Sequence, residues 1–161
     1  MPLPSTVYLD IETEWDRTLT VLGFHSRETG TVQLVGSEIT ARRLRSVLPK
    51  TGRLVTFNGH CFDLPVIHKQ LGIHLRSTHD SVDLRYVCAR CQMAGGQKLV
   101  EQRLGIVRDT EGVDGREAIK LWSRYLRGDR EALDLLLAYN EEDLLGMKEI
   151  ETILKKRRLI S

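Results

Sequence analysis

Two acids at alternate positions of an apolar run, Val7-Tyr8-Leu9-Asp10-Ile11-Glu12-Thr13, carry the densest chemistry in this chain. In an extended strand such residues point to one face, so the Asp10 and Glu12 carboxylates emerge side by side. Acids on an otherwise apolar strand are costly unless something offsets their charge. Two further acidic motifs follow, Asn58-Gly59-His60-Cys61-Phe62-Asp63 and Tyr139-Asn140-Glu141-Glu142-Asp143. Asp63 comes just after a short apolar strand, and functional groups of open α/β sheets gather at the carboxyl ends of strands. It also suits the free backbone N–H groups of a helix start, and one carboxylate can serve both uses. Tyr139 and Asp143 stand four apart on a helix and share a face. Glu141 and Glu142 point elsewhere and are expected in solvent. Carboxylate oxygens suit hard cations such as Mg2+ or Mn2+, and Asp10, Glu12, Asp63 and Asp143 together could hold two of them against a phosphodiester.

The elements that must position these acids can be read from apolar pattern and turn chemistry. Strands are expected over Thr6 to Ile11, Leu19 to His25 and Thr31 to Val35, with Ser26-Arg27-Glu28-Thr29-Gly30 as a hairpin turn, which gives an antiparallel meander. Ser37 reads as the N-cap of a helix over Thr40 to Leu48, stopped by Pro49. Arg53 to Phe57 is a fourth strand, parallel to an earlier one because a helix separates them. A helix over Asp63 to Leu71 closes at Gly72, with Pro65 near its start. A short fifth strand falls around Thr78 to Val82. Helices then run over Asp83 to Gln92, Lys98 to Leu104, Arg116 to Arg127 and Arg130 to about Lys156, the last with Leu135, Leu136, Leu144 and Met147 as its apolar stripe. Gly105 to Gly115 reads as a mobile loop. The order describes one α/β domain with a mixed five-stranded sheet flanked by helices.

Composition narrows the setting. The chain has 161 residues, enough for one core, and its 41% hydrophobic and 29% charged content suits a soluble globular protein. No apolar run approaches the ~18 residues of a membrane helix and no leader is visible, so no membrane partner and a cytoplasmic location are expected. The net charge of +2 gives only a weak general attraction for nucleic acid, so basic residues must act locally. Arg42-Arg43, Arg45, Arg53 and Lys155-Lys156-Arg157-Arg158 are available, the last cluster also suiting a helix C-terminus. Cys88 and Cys91 have metal-ligand spacing but no second pair, so with Cys61 they read as ordinary thiols. Trp122 and Tyr125 read as core, with base stacking as the alternative.

Taken together, Asp10-Ile11-Glu12, Asn58 with Phe62-Asp63, and Tyr139 with Asp143 resemble the three motifs of the DEDD superfamily of 3′–5′ exonucleases, tyrosine subgroup. The likeness spans about residues 7 to 153 and is greatest with small ribonuclease H-like proteins read as exonucleases. The histidine subgroup has its base five residues before the last Asp, where this chain has Ala138. The resemblance implies a ribonuclease H-like fold and two divalent cations, Mg2+ or Mn2+. It makes Asp10 the ligand shared by both ions, with Glu12 and Asp143 on one and Asp63 on the second, largely through water. Tyr139 would orient the attacking water. Asn58, Gly59 and His60 would lie against substrate, and Lys98, in Gln97-Lys98-Leu99, would contact a phosphate. Single-stranded DNA or RNA 3′ ends are the implied substrate. Two alternatives remain: an inactive nucleic-acid-binding accessory module, to which acids facing a polyanion bring no benefit, and a structure-selective endonuclease.

Overall fold

In the computed structural model, which describes residues 5–161, the sheet is assembled around the strand that carries the first two acids. Strands β1 (Thr6–Thr13), β2 (Leu19–Ser26) and β3 (Gly30–Val35) form the antiparallel meander. Strands β4 (Gly52–Thr56) and β5 (His79–Asp83) join parallel to β1, and the order across the sheet is β3-β2-β1-β4-β5. Helices are α1 (Ala41–Val47), α2 (Asp63–Leu71), α3 (Leu84–Arg90), α4 (Gln97–Leu104), α5 (Gly115–Leu126) and α6 (Arg130–Lys156). This is the mixed five-stranded sheet flanked by helices, a ribonuclease H-like fold.

Alternation along β1 sorts the layers. Val7, Leu9 and Ile11 pack with Leu44 and Leu48 of the α1 region and with Leu64 and Ile67 of α2. Tyr8 lies on the other face with Leu144, Met147 and Ile150 of α6, and Asp10 and Glu12 share that face by register. A third apolar group joins Val21 to Leu121 and Trp122 of α5 and Leu136 and Tyr139 of α6, so Trp122 is core. Within the expected α6 stripe Leu135 is exposed, while Leu136, Leu144 and Met147 are buried.

Three expectations are corrected. Thr40, not Ser37, caps α1, its side chain accepting from the Arg43 N–H, while Ser37 lies in a single 3-10 turn. Asp83 ends β5 and caps α3 instead of beginning the helix. The loop between α4 and α5 is pinned: Glu142 accepts from the Thr110 N–H at 3.1 Å, and also from the Asp109 N–H and the Thr110 hydroxyl. All three cysteines are free thiols. Among the described residues no helix is long and apolar enough to cross a membrane.

Candidate active site

The ladder between β1 and β4 ends at Tyr8 and Val55, so β1 runs on toward Thr13 with no strand on its β4 side. This splay opens the sheet where Asp10 and Glu12 emerge. Asp10, Glu12 and Asp143 of α6 each present a carboxylate oxygen within 4.8 Å of the others. Asp63, at the start of α2, lies beside this trio, and its Oδ1 accepts from the Ile11 N–H at 3.1 Å. That donor is one the missing strand leaves free, so Asp63 both ties α2 to β1 and brings a fourth acid to the opening.

Other donors fix the acids. Asn140 Nδ2 donates to Asp10 Oδ2 at 2.9 Å, and its own Oδ1 accepts from Gln33 Nε2 at 2.9 Å, which sets the amide's orientation. Asp143 Oδ1 pairs with Arg108 Nη2 at 2.7 Å. Asn140 and Asp143 are three apart, so the helical spacing that pairs Tyr139 with Asp143 could have revealed Asn140 as well. Arg108 had no such signal, because it arrives on an irregular loop. Glu142, expected in solvent, holds that loop and lies within 3.5 Å of Arg108 Nε.

Negative charge accumulates here faster than its compensation. Burial, then the charges of Asp143 and Glu12, pushes the Asp10 carboxyl well above the ordinary carboxylate range. Burial, then Asp143 and Asp63, does the same to Glu12. Asp63 is pushed up to about 7 by burial, against the backbone N–H bonds that favour its ionised form. Asp143 rises to about 6 by burial although Arg108 opposes the rise. Crowded, half-desolvated oxygens with too little positive charge are what a hard divalent cation requires, so the donor set fits such a metal. Tyr139 is buried above the acids, and burial followed by the charges of Asp143, Glu12 and Asp10 raises its phenol well beyond the ordinary value.

Hollows of about 480 and 510 Å³ flank the acids, within the range of small-ligand sites, and share Asp10, Asp114, Gly115, Tyr139 and Asp143 as lining. Asn58, Arg85 and Lys98 line the first; Trp15, Phe62 and Arg116 line the second. Lys98 Nζ lies 4.8 Å from the Tyr139 ring centre and donates to the Val113 carbonyl. Asn58 adopts φ 62°, with its side-chain oxygen on Arg85 Nη1 at 2.7 Å. Gly59 and His60 line neither hollow. Gly59 is buried, and a Cβ there would collide with the Thr56 side chain, so close packing within the chain accounts for the glycine. His60 turns its Nε2 to Ser81 Oγ at 2.8 Å. Sequence reading missed the organiser of this segment: Asp83 accepts from the Asn58 N–H at 2.7 Å, the His60 N–H at 3.1 Å and the Arg85 N–H at 3.0 Å.

Among solved structures, a family B DNA polymerase from the hyperthermophilic archaeon Pyrobaculum calidifontis superposes with a TM-score of 0.71 at 16% identity, over 95% of this chain and 25% of the polymerase. The chain thus spans about a quarter of that protein's length. The EXD2 exonuclease domain soaked in Mn and GMP gives a TM-score of 0.38 at 19% identity, over 94% of this chain and 80% of that domain. The same domain soaked in Mg and GMP gives 0.36 at 16%, over 94% and 81%. No curated protein matches the sequence. A model of the RNase_H superfamily matches residues 7–155, nearly the whole length, and the chain belongs to that superfamily.

Proposed function

We propose that this chain, acting as one catalytic domain, is a metal-dependent 3′–5′ exonuclease that hydrolyses phosphodiester bonds at single-stranded nucleic-acid ends with two divalent cations, Mg2+ or Mn2+. One observation carries the reading: carboxylates from β1 and α6 meet within 4.8 Å where β1 splays from β4, with Asp63 alongside. Membership of the RNase_H superfamily supports a nuclease-type hydrolase on this frame. Asp10, Glu12 and Asp143 would hold the metal, and Asp63 would act largely through water. When bound, the cations activate water and stabilise the leaving 3′ oxygen.

The chain's own groups do the rest. Burial and the neighbouring acids raise the Tyr139 phenol, which suits a role in orienting the nucleophile by hydrogen bonding. Lys98 and Arg85 on one side of the acids, and Arg116 on the other, offer positive charge to the phosphate backbone. Asn58 stands at the same rim, held by Arg85. The test is to incubate single-stranded DNA and RNA, labelled at either end, with Mg2+ or Mn2+. Stepwise loss from the 3′ end is expected. Internal cuts would instead identify an endonuclease, and intact substrate would identify a binding module. Asp10→Ala is the control, and full activity in that variant would refute the site.

A further inference from the structure

We infer that Arg108 is a positioning residue for the metal-binding carboxylate of Asp143, and that buried Glu101 holds it in that role; the inference rests on the exonuclease reading above. The guanidinium is only 13% exposed and divides its two terminal nitrogens between two acids. Nη2 lies 2.7 Å from Asp143 Oδ1, and Nη1 lies 2.8 Å from Glu101 Oε2. A planar fork held at both tines cannot swing, which a lysine could not reproduce.

Glu101 has no other evident reason to be buried. It is 1% exposed, it lies outside both hollows beside the acids, and its second oxygen accepts from Gln97 Nε2 at 2.8 Å. The same Gln97 nitrogen donates to the Asp143 carbonyl at 2.8 Å, so α4 holds the Asp143 backbone directly and its side chain through Arg108. Gly146 makes this possible, because a Cβ at that position would collide with Glu101 Oε1. Glu142 completes the arrangement by clamping the loop that carries Arg108. Apolar side chains would fill this space with less desolvation, so stability alone does not account for two buried acids around one arginine.

Charge and geometry together define the role. Glu101, Arg108 and Asp143 carry one net negative charge, so Asp143 keeps attraction for a cation. Anchorage to Glu101 restrains Arg108 from moving into the space shared by Asp10, Glu12 and Asp143. One Asp143 oxygen is fixed and the other is left free. Asp10 is treated alike by Asn140, and Asp63 by the Ile11 N–H.

The test compares the wild type with Arg108→Lys and with the double variant Arg108→Gln, Glu101→Gln, which removes one positive and one negative charge together and so avoids stranding Glu101. Mn2+ binding is read by calorimetry, cleavage by kcat and KM on a single-stranded oligonucleotide, and folding by circular dichroism. Both variants should fold, bind Mn2+ about 10–100-fold more weakly and lose kcat, with KM changed less than about twofold. Mn2+ affinity and kcat within about twofold of wild type in the double variant would overturn the inference. A wild type that binds Mn2+ without cutting would remove the exonuclease reading, and the Mn2+ affinities alone would then decide on Arg108. A wild type that binds no Mn2+ would overturn both.

Discussion

Helix α6 buries two acids about two turns apart, and β1 meets both with the same face. Glu151 receives the Tyr8 hydroxyl at 2.7 Å and Arg53 at 2.5 Å, with Lys155 at 3.6 Å. Asp143 instead meets Asp10 and Glu12, two and four positions along β1 from Tyr8. Burial opposes ionisation at both. At Glu151 the bonds from Arg53 and Tyr8 outweigh burial and lower the carboxyl below its ordinary value, whereas at Asp143 burial prevails over Arg108 and raises it to about 6. An acid that holds structure has its partners in the chain. Asp143, the acid we propose works on a ligand, is left short of them.

The largest effect that would break this contrast concerns activity. Asp10→Ala should lower hydrolysis on the order of 1,000-fold, because it removes one of the three carboxylates that meet within 4.8 Å. The melting temperature of the metal-free variant should not fall, since a crowded charge has gone. A drop of several degrees would show that Asp10 holds structure as Glu151 does. Glu151→Ala is the converse. It strands Arg53 and the Tyr8 hydroxyl, and should cost about 3 kcal/mol, near the low end for broken buried pairs because Arg53 is a quarter exposed. That is about 6–12 °C for a chain of this size. Cleavage per folded molecule should stay within about twofold.

How legible each region was in the sequence follows the same division. Alternation along β1, the Pro49 stop and the Gly72 cap are local signals, so the strands and most helices could be read directly, while the choice of sheet rested on the acidic motifs. Asp10, Glu12 and Asp143 were visible because acids on apolar elements break a pattern. Arg108, Glu101 and Asp83 were not. Arg108 sits on an aperiodic loop, Glu101 on a helix face that only packing against Gly146 buries, and Asp83 organises a segment 25 residues away through the Asn58 N–H. Glu151 was hidden for the same reason, since its partners come from β1 and β4. The acids announce themselves one at a time; the groups that fix them depend on tertiary contact.

The pH dependence of folding sharpens the contrast at smaller scale. Asp63 and Asp143, raised to about 7 and about 6, hold protons more tightly when folded than when unfolded. Folding therefore takes up protons between about pH 4 and pH 7, and the stability these groups contribute is lost as pH rises through that window. Thermal melts of metal-free protein should show a falling melting temperature from pH 5 to pH 8. Millimolar Mn2+ should remove most of the fall, because a cation stabilises the ionised acids. Equal slopes with and without metal would mean that the acids do not share a cation.

Tyr8→Phe should give the smallest change and is the most discriminating at the structural end. Its hydroxyl is a buried hydrogen-bond partner of Glu151, and burial followed by the bond to Glu151 raises the phenol well beyond its ordinary value. Removing it deletes one charge-assisted hydrogen bond, but Arg53 still neutralises the acid and a phenyl ring is easier to bury. The net loss should be about 1 kcal/mol, or about 2–4 °C. The pH profile gives the sharper reading. Glu151 is held below its ordinary value of 4.5, so its contribution is present above that pH and is lost as pH falls through the lowered value. Tyr8→Phe should reduce this acid-side contribution while leaving the decline from pH 5 to pH 8 unchanged, because Asp63 and Asp143 do not depend on Tyr8. A change in the upper limb would show that the two ends of α6 are coupled, and that the division between holding acids and working acids is not as local as the contacts indicate.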